Sequence, residues 1–302
     1  MLFRRLSRTG LLVLTILCTV VLAACGGAEE EPPEAAASPG GDTPAPADSE
    51  AAAPSSDLGL ISEGTLAVCT DSPYQPFEFE EDGEFTGFDV DLMNAVAEGL
   101  GVVAEYQVTP FDAIQSGAAL NARQCDVAAS AMTITEERAE NLGFTDPYFD
   151  AEQSLLVTEA NAGTYASLDA LGGQRIGVQA ATTGQRYAEE NAPEDAEIVE
   201  YPDSSALFQA LQGGEIAAVL QDFPVNAFFA TQNDTVTVVE QYPTGEQYGF
   251  AAQVDNTGLI EAINQQLEAL RADGTYDAVY TEWFGTAPDG ASEAASPSEA
   301  VS

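Results

Sequence analysis

The stretch TLAVCTDSPYQPFEFEEDGEFTGFDVDLMNAVAEGL, residues Thr65 to Leu100, changes its apolar periodicity halfway along. Its first residues, Thr65–Cys69, form a short apolar run that is typical of a buried β-strand. Its last residues, Phe88–Leu100, repeat apolar side chains at helical spacing, with Asp89 placed to cap the helix and Gly101 to end it. The stretch therefore predicts a strand, a long loop and a helix.

The same alternation continues after this stretch. The next elements predicted are a strand at Val102–Val108, a helix at Phe111–Asn121, a strand at Asp126–Ser130 and a helix that opens at Thr133. The pattern then restarts with a helical turn at Ser167–Leu171, a strand at Arg175–Val178, a helix from Thr182, a strand at Glu197–Tyr201, a helix at Ser204–Gln212 and a strand at Ala217–Gln221. Two such units predict an α/β protein with two lobes, each a mostly parallel sheet flanked by helices.

Two connections are expected between the units, near Phe149–Glu152 and near Tyr242–Gly245. We therefore expect lobe 1 to comprise residues 58–150 and a return segment, 246–285, and lobe 2 to comprise residues 151–245. In an arrangement of this kind, ligands bind in the cleft that faces the carboxyl ends of the strands.

The composition restricts the possible partners. The chain has 50 acidic residues, eight Lys and Arg together, no His and a formal net charge of -42. All eight basic residues are arginines. A chain so poor in positive charge cannot neutralise a phosphate backbone, so no nucleic-acid partner is expected.

The first 24 residues have the pattern of an export signal. Arg4, Arg5 and Arg8 precede an apolar run, Leu11–Val21, that is too short for a comfortable membrane span. The run ends in Leu-Ala-Ala-Cys at Cys25, which resembles the lipobox of bacterial lipoproteins. We therefore predict a lipoprotein signal peptide at residues 1–24 and lipid on Cys25, which would hold the protein at the outer face of the cell membrane. An ordinary secretory signal is the alternative.

Two segments have compositions that do not favour a packed core. Residues 25–57 and 286–302 are rich in Pro, Ala, Ser and acidic residues. They bury too little apolar surface to fold, so a disordered tether and a disordered tail are predicted.

Cys69 and Cys125 lie in the predicted folded body, where an oxidising compartment permits a disulfide. Cys69 falls late in its predicted strand and Cys125 at the start of its own strand. Because a strand rises about 3.3 Å per residue, this placement argues slightly against a bridge and leaves it open. With two thiols, no His and no CxxC motif, no metal site and no cofactor is predicted.

Several motifs, in the expected order, resemble the family 3 solute-binding proteins, which serve ABC importers for polar amino acids. They are VCTDSPYQPFEF at Val68–Phe79, GFDVDL at Gly87–Leu92, MTITEER at Met132–Arg138, FTDPY at Phe144–Tyr148, IGVQ at Ile176–Gln179 and RADGT at Arg271–Thr275. The resemblance implies a two-lobed periplasmic-binding-protein-like fold of type II. It also implies a monomeric binding protein, not an enzyme, that captures a polar or basic amino acid and delivers it to an ABC transporter permease.

Carried over residue by residue, the resemblance implies that Arg138 holds the ligand α-carboxylate and that Asp222 receives its ammonium group. A planar guanidinium pairs with both oxygens of a buried carboxylate. The other implied ligand-binding residues are Ser130, Met132 through its backbone, Thr133, Thr182 and Thr183 near the carboxylate, Tyr74 and Phe111 as covering rings, and Asp71 and Gln179 near the ligand side chain. Thr133 and Glu136 have the spacing of a capping box ahead of Arg138. The alternative for Arg138 is a solvated helix residue that pairs with Glu137 or another acid.

Two other functions are compatible with the sequence. One is an enzyme on the same fold, such as a cyclohexadienyl dehydratase, in which Asp, Glu or Tyr would supply the general acid or base, because the chain has no His. The other is a lipoprotein sensor that presents its bound state to a receptor.

Overall fold

The computed structural model describes residues 58–286. The predictions of a signal peptide at 1–24, lipid on Cys25, a tether at 25–57 and a tail beyond residue 286 lie outside the described residues. None of the helices within 58–286 has both the length and the apolar character that crossing a bilayer requires.

Strands and helices alternate along the chain, as the sequence pattern predicts. The first elements are β1 (Thr65–Thr70), β2 (Phe79–Glu81), β3 (Glu84–Thr86), α1 (Phe88–Leu100), β4 (Val103–Val108), α2 (Phe111–Gln115), α3 (Ala118–Asn121), β5 (Val127–Ala128), α4 (Glu136–Ala139) and β6 (Leu142–Phe144). They are followed by β7 (Phe149–Thr158), β8 (Arg175–Gln179), α5 (Thr183–Asn191), β9 (Glu197–Tyr201), α6 (Ser204–Gln212), β10 (Ala218–Asp222), α7 (Phe223–Gln232) and β11 (Val236–Tyr248). The last elements are β12 (Ala251–Gln253), α8 (Thr257–Asp273) and α9 (Thr275–Phe284).

The strands form two five-stranded sheets and a small hairpin of β2 and β3. The first sheet has the order β4-β1-β5-β12-β6, and the second has the order β11-β7-β10-β8-β9. In the first sheet β1 runs parallel to β4 and β5, while β12 runs antiparallel to β5 and β6. In the second sheet β8 runs parallel to β9 and β10, while β7 runs antiparallel to β10 and β11. The α/β class is confirmed, and each sheet holds antiparallel pairs beside its parallel ones because later strands run back along it.

Two long antiparallel strands, β7 and β11, belong to the second sheet. Their paired ends at Phe149 and Tyr248 adjoin the first sheet. At the first sheet, the backbone N–H of Tyr148 donates to the carbonyl of Tyr248 over 2.9 Å, and that of Gly249 donates to Met132 over 3.1 Å. Farther along, β7 and β11 pair antiparallel from Phe149 with Tyr248 to Thr158 with Val236. This paired ribbon is the region where sequence analysis places the two connections.

Aromatic side chains pack the base of the first sheet against the last helix. Phe77 and Phe88 are fully buried, and their ring centroids lie 6.0 Å apart in an edge-to-face arrangement. Phe284 of α9 lies 5.3 Å from Phe88 and 5.1 Å from Phe149. Edge-to-face aromatic contacts add to the stabilisation from buried area. These contacts hold α9 against the start of β7 at Phe149.

Two predicted helix features are wrong in detail. The helix expected at 111–121 is divided into α2 and α3 at Gly117, whose φ of 77° breaks the helical path. Asp89 does not cap α1, because its side chain is fully buried and Gly87 occupies the cap position with φ 131°. A Cβ at Gly87 would lie 2.1 Å from the carbonyl oxygen of Phe77, so only glycine fits there.

The turn before Arg138 also differs from the prediction. Thr133 does not open a helix, because it forms an extended bridge with Tyr248. Helix α4 has a single turn, and its cap is Thr135, whose hydroxyl oxygen accepts from the backbone N–H of Arg138 over 3.2 Å. The capping box proposed for Thr133 and Glu136 is therefore wrong, and the chain stays extended for two more residues.

Cys69 and Cys125 form a disulfide, contrary to the slight expectation against it. Their Cα atoms lie 5.7 Å apart, within the usual range for a bridge. The expectation was wrong because β5 contains only Val127 and Ala128. Cys125 therefore lies in the preceding loop, which bends back toward β1, and is not part of the strand.

Candidate functional site

The carboxyl ends of β1, β5, β8 and β10 face one small cavity between the two sheets. Ten of the eleven predicted ligand-binding residues line it: Asp71, Tyr74, Phe111, Ser130, Thr133, Arg138, Gln179, Thr182, Thr183 and Asp222. Ala131 lines it as well, whereas Met132 is buried with 1 % exposure in the core beneath it. The cavity volume is about 20 Å³, enough for about one water molecule. The two sides of the cleft are therefore in close contact in this structure.

Arg138 reaches the cavity from the single turn of α4 and is 5 % exposed. Its Nη1 donates to the carbonyl of Thr133 over 2.7 Å, and its Nη2 donates to the carbonyl of Ala181 over 3.2 Å. The guanidinium carbon lies 5.1 Å from the ring centroid of Phe111. Burial lowers the pKa of Arg138 to about 10, partly opposed by the negative charge of Asp222. The side chain remains a buried cation at neutral pH, which excludes the alternative of a solvated helix residue.

The neighbouring Glu137 has a different partner. Its carboxylate lies 3.4 Å from the guanidinium of Arg186 on α5, and both side chains are largely exposed. Sequence analysis gave no role to Arg186. The structure places this ion pair between the two sides of the cleft, next to the buried Arg138.

Two threonines meet across the cleft at the start of α5. Thr182 caps this helix by accepting from the N–H of Gln185 over 3.1 Å, as its position predicts. Thr183, the next residue, lies with its hydroxyl oxygen 3.5 Å from that of Thr133. Both Thr133 and Thr183 donate to one carboxylate oxygen of Glu246, over 2.8 Å and 2.7 Å. A carboxylate of the chain itself therefore already holds these two hydroxyl donors.

Asp222 ends β10 and is 6 % exposed. Its carboxylate accepts from the hydroxyls of Tyr74, over 2.9 Å, and Tyr248, and from the amide nitrogen of Gln153 over 2.5 Å. Burial, with the charge of Glu246, raises the pKa of Asp222 to about 6, while these three hydrogen bonds act to lower it. At neutral pH the group is a carboxylate, held by donors from both sheets.

Asp71 also lines the cavity and lies directly after β1. Its carboxylate accepts from the amide nitrogen of Gln179 over 2.6 Å, a hydrogen bond that joins the two sides of the cleft. Burial raises the pKa of Asp71 to about 6, the bond from Gln179 lowers it, and the charge of Asp203 adds to the increase. Asp71 and Asp222 thus place two carboxylates in a cavity that Arg138 also lines.

Sequence analysis missed three residues of this network: Gln153, Glu246 and Tyr248. All three lie on the paired strands β7 and β11, just beyond the two segments predicted as connections, Phe149–Glu152 and Tyr242–Gly245. Gln153 is fully buried and donates to both Asp222 and Glu246. A signal existed in β7, because the apolar run at Leu155–Val157 is typical of a buried strand and Gln153 lies just before it.

No group of three or more His, Cys, Asp or Glu side chains within residues 58–286 is arranged to hold a metal ion. The site is therefore best described by its charges and hydrogen-bond donors. It offers one guanidinium, three carboxylates, several hydroxyls and two aromatic rings.

Comparison with known proteins identifies a family over most of the described chain. Residues 66–286 match the model of the bacterial extracellular solute-binding proteins, family 3. The chain is similar to the L-cystine-binding protein of Escherichia coli K12, with 31% identity over 235 residues that cover 76% of this chain and 87% of the relative.

Solved structures agree with this match. An ancestral arginine-binding protein, solved with arginine and with glutamine, has 38% identity and a TM-score of 0.70, covering 74% of this chain and 99% of its own. The ancestral amino acid-binding protein described as a precursor of cyclohexadienyl dehydratase has 37% identity and a TM-score of 0.66, covering 73% of this chain and 95% of its own. The family match and these likenesses confirm the expected periplasmic-binding-protein-like fold. The chain belongs to family 3 of the bacterial extracellular solute-binding proteins.

Proposed function

We propose that this protein captures a basic amino acid in the cleft between its two lobes and delivers it to an ABC importer. The observation that carries the proposal is the charge of the site. Asp71, Asp222 and Glu246 supply three carboxylates, while Arg138 supplies one guanidinium. A zwitterion with a cationic side chain brings one negative and two positive charges, which offsets the excess of acid that a neutral or acidic ligand would leave uncompensated.

Each end of such a ligand has a complementary group. Arg138 would hold the α-carboxylate, and the hydroxyls of Thr133 and Thr183 would exchange Glu246 for it. Asp222 would receive the ammonium group. Asp71 and Gln179 would meet the cationic side chain, and the rings of Tyr74 and Phe111 would cover its aliphatic part.

Binding requires the lobes to open and close again. Opening breaks the hydrogen bonds from Tyr74 to Asp222, from Gln179 to Asp71 and from Arg138 to Ala181. A ligand that replaces these contacts with charged ones favours the closed form by its extra interactions there. We place lobe 1 at residues 58–150 and 246–285, and lobe 2 at residues 151–245, with β7 and β11 as the hinge.

The finer cellular role is also a proposal. We infer that lipid on Cys25 holds a monomeric protein at the outer face of the cell membrane, beside the permease that receives the ligand. Mass spectrometry of the protein purified from membranes tests the anchor, because a diacylated or triacylated Cys25 has a defined mass. A mature chain that starts at another residue, without lipid, would contradict it.

Isothermal titration calorimetry tests the ligand proposal. We expect arginine or lysine to bind at least about tenfold more tightly than glutamine, and glutamate not to bind. Asp71→Asn should reduce this preference while glutamine binding persists, because the substitution removes only the charge near the ligand side chain. Tighter binding of glutamate than of arginine would overturn the proposal.

An enzyme on the same fold is the second candidate, and the ancestral precursor of cyclohexadienyl dehydratase is the observation that keeps it in view. Asp71 and Asp222, with pKa values raised to about 6, are suitable in principle as general acids. We expect no turnover of a cyclohexadienyl substrate, because with pKa values of about 6 both groups are mostly ionised at neutral pH and are therefore poor proton donors there. Loss of amino acid uptake in a deletion strain would separate transport from a purely sensory role.

A further inference from the structure

Two buried carboxyl groups support the wall of the cavity but have no part in the ligand contacts described above. Glu78 and Asp89 are fully buried. The hydroxyl of Ser130 donates to Oε1 of Glu78 over 2.8 Å, and the backbone N–H of Ala131 donates to Oδ2 of Asp89 over 2.8 Å. Two adjacent residues that line the cavity are thus each tied to a different carboxyl group behind it.

The two carboxyl groups belong to neighbouring backbone segments. The N–H of Asp89 donates to the carbonyl of Phe77, the residue before Glu78, over 3.0 Å. Asp89 also accepts from the hydroxyl of Tyr148 over 2.7 Å, again through Oδ2. The remaining oxygens, Oε2 of Glu78 and Oδ1 of Asp89, are buried and have no hydrogen-bond partner among the described residues. Two unpaired buried acceptors are costly, and protonation of either carboxyl group removes one buried negative charge from this region.

The surroundings disfavour two negative charges. The titratable groups that act on Glu78 and Asp89 are carboxyl groups and phenols: Asp71, Asp222, Tyr74, Tyr106 and Tyr148. Burial raises the pKa of Glu78 well above its ordinary value, and the charge of Asp89 raises it further. Burial raises the pKa of Asp89 to about 7, opposed by its hydrogen bonds from Ala131 and Tyr148. Two fully buried carboxylates that are hydrogen-bonded to adjacent residues, here Ser130 and Ala131, repel each other and do not both ionise near neutral pH.

We propose that Glu78 and Asp89 together bind a single proton, and that this carboxyl–carboxylate pair positions Ser130 and Ala131 for the carboxylate of the ligand. The inference rests on the proposed function, because the ligand carboxylate is what this wall would receive. Loss of the single proton places a second negative charge directly behind the wall. That charge opposes the ligand carboxylate and weakens binding as the pH rises above about 7.

The direction of this effect separates the pair from the other acids in the site. Asp71 and Asp222 have pKa values of about 6, so they are already ionised in this pH range. Ionisation of Asp71 and Asp222, which occurs at lower pH, strengthens the binding of a ligand's cationic groups as the pH rises. Ionisation of the Glu78 and Asp89 pair has the opposite effect, because it weakens binding as the pH rises. The α-ammonium group of the ligand also begins to lose its proton toward pH 9, but to the same extent for every variant. The part of the weakening between pH 7 and pH 9 that Glu78→Gln removes therefore reports on Glu78 and Asp89.

Infrared spectroscopy of the protein without added amino acid tests the pair directly. At pH 7 to 8 we expect the carbonyl band of a protonated carboxyl group, lost in Glu78→Gln and in Asp89→Asn. Each amide keeps the carbonyl acceptor and replaces the single proton by an N–H donor, so both variants should fold. Asp222→Asn is the matched control and should keep the band. Absence of the band in the wild type, or its persistence in both amide variants, would overturn the inference.

Calorimetry with arginine then tests the link to binding. We expect the wild-type Kd to rise about fivefold or more from pH 7 to pH 9, and that of Glu78→Gln to stay nearly constant. An equal increase in both proteins would show that the pair does not act on the ligand, and would overturn that part. If no amino acid bound at any pH while the infrared band vanished in both amide variants, the single proton would stand and the proposed function would be wrong.

Discussion

The hydroxyl of Tyr74 lies 2.9 Å from the carboxylate of Asp222, and this hydrogen bond joins the loop after β1 to the end of β10. It connects the two sheets at the point where sequence analysis expects a ligand ammonium group. The same carboxylate thus serves as a contact between the sheets and as the candidate receptor of a cation. A ligand that enters the cleft competes with Tyr74 for it.

We predict that Tyr74→Phe shifts the protein toward the open form. The substitution keeps the ring and removes one of three donors to Asp222, which weakens closure by about 1 kcal/mol, or about fivefold in the population ratio. Small-angle X-ray scattering measures this as a larger radius of gyration. Tyr106→Phe is a matched control, because the hydroxyl of Tyr106 contacts Val90 and Asn94, away from the cleft. Equal scattering curves for Tyr74→Phe and the wild type would contradict the prediction.

We predict that Arg138→Ala weakens amino acid binding by about 3 kcal/mol or more, over a hundredfold in Kd, because a buried carboxylate loses its counter-charge. Calorimetry measures the loss, and circular dichroism checks that the variant is folded. Arg186→Ala is the control, since its pair with Glu137 is exposed and should change Kd by less than about fivefold. A loss of tenfold or less for Arg138→Ala would count against the role given to this residue.

The sequence predicts the order of strands and helices well because each element carries its own periodicity. Helix α1 shows this, since its buried residues Leu92, Met93 and Val96 recur at helical spacing. The position of the cavity follows from the same rule applied to each sheet, because the carboxyl ends of parallel strands lie at one edge of their sheet. β1 belongs to the first sheet and β10 to the second, and both carboxyl ends face the cleft, so Asp71 and Asp222 line the same cavity.

What the sequence does not predict depends on contacts between distant segments. Glu246 receives the hydroxyls of Thr133 and Thr183, but no local pattern marks a strand residue as part of a site. Asp89 has the position of a helix cap, yet it is buried, because Gly87 brings the chain close to Phe77 and turns that side chain inward. Tertiary packing overrides the local preference in both cases.

We predict that removal of the Cys69–Cys125 disulfide lowers the free energy of unfolding by about 2–4 kcal/mol, because the bridge closes a loop with a sequence separation of 56. Urea denaturation of Cys69→Ala/Cys125→Ala measures the difference. Alanine suits both sites, since both cysteines are buried beside apolar side chains. Dithiothreitol should destabilise the wild type and leave the double variant unchanged. Equal urea midpoints for the oxidised wild type and the double variant would contradict this prediction.

We predict that the protein is more stable at pH 5 than at pH 8. Burial raises the pKa of Asp71 and Asp222 to about 6 and that of Asp89 to about 7, whereas unfolded aspartates have pKa values of about 4. Between the unfolded and folded pKa values, the folded state binds more protons than the unfolded state. The contribution of these groups to the free energy of unfolding is therefore complete below pH 4 and is lost as the pH rises through 6 and 7.

The net charge of -42 acts in the same direction, because surface repulsion also weakens when carboxylates are protonated. Thermal unfolding should therefore be measured at high salt, which screens exposed charges and leaves buried ones nearly unaffected. Under those conditions the melting temperature should still fall from pH 5 to pH 8, and Asp222→Asn should reduce that fall because one of the titrating groups is gone. A melting temperature that rises with pH at high salt would mean that these carboxyl groups are ionised and well paired in the folded protein.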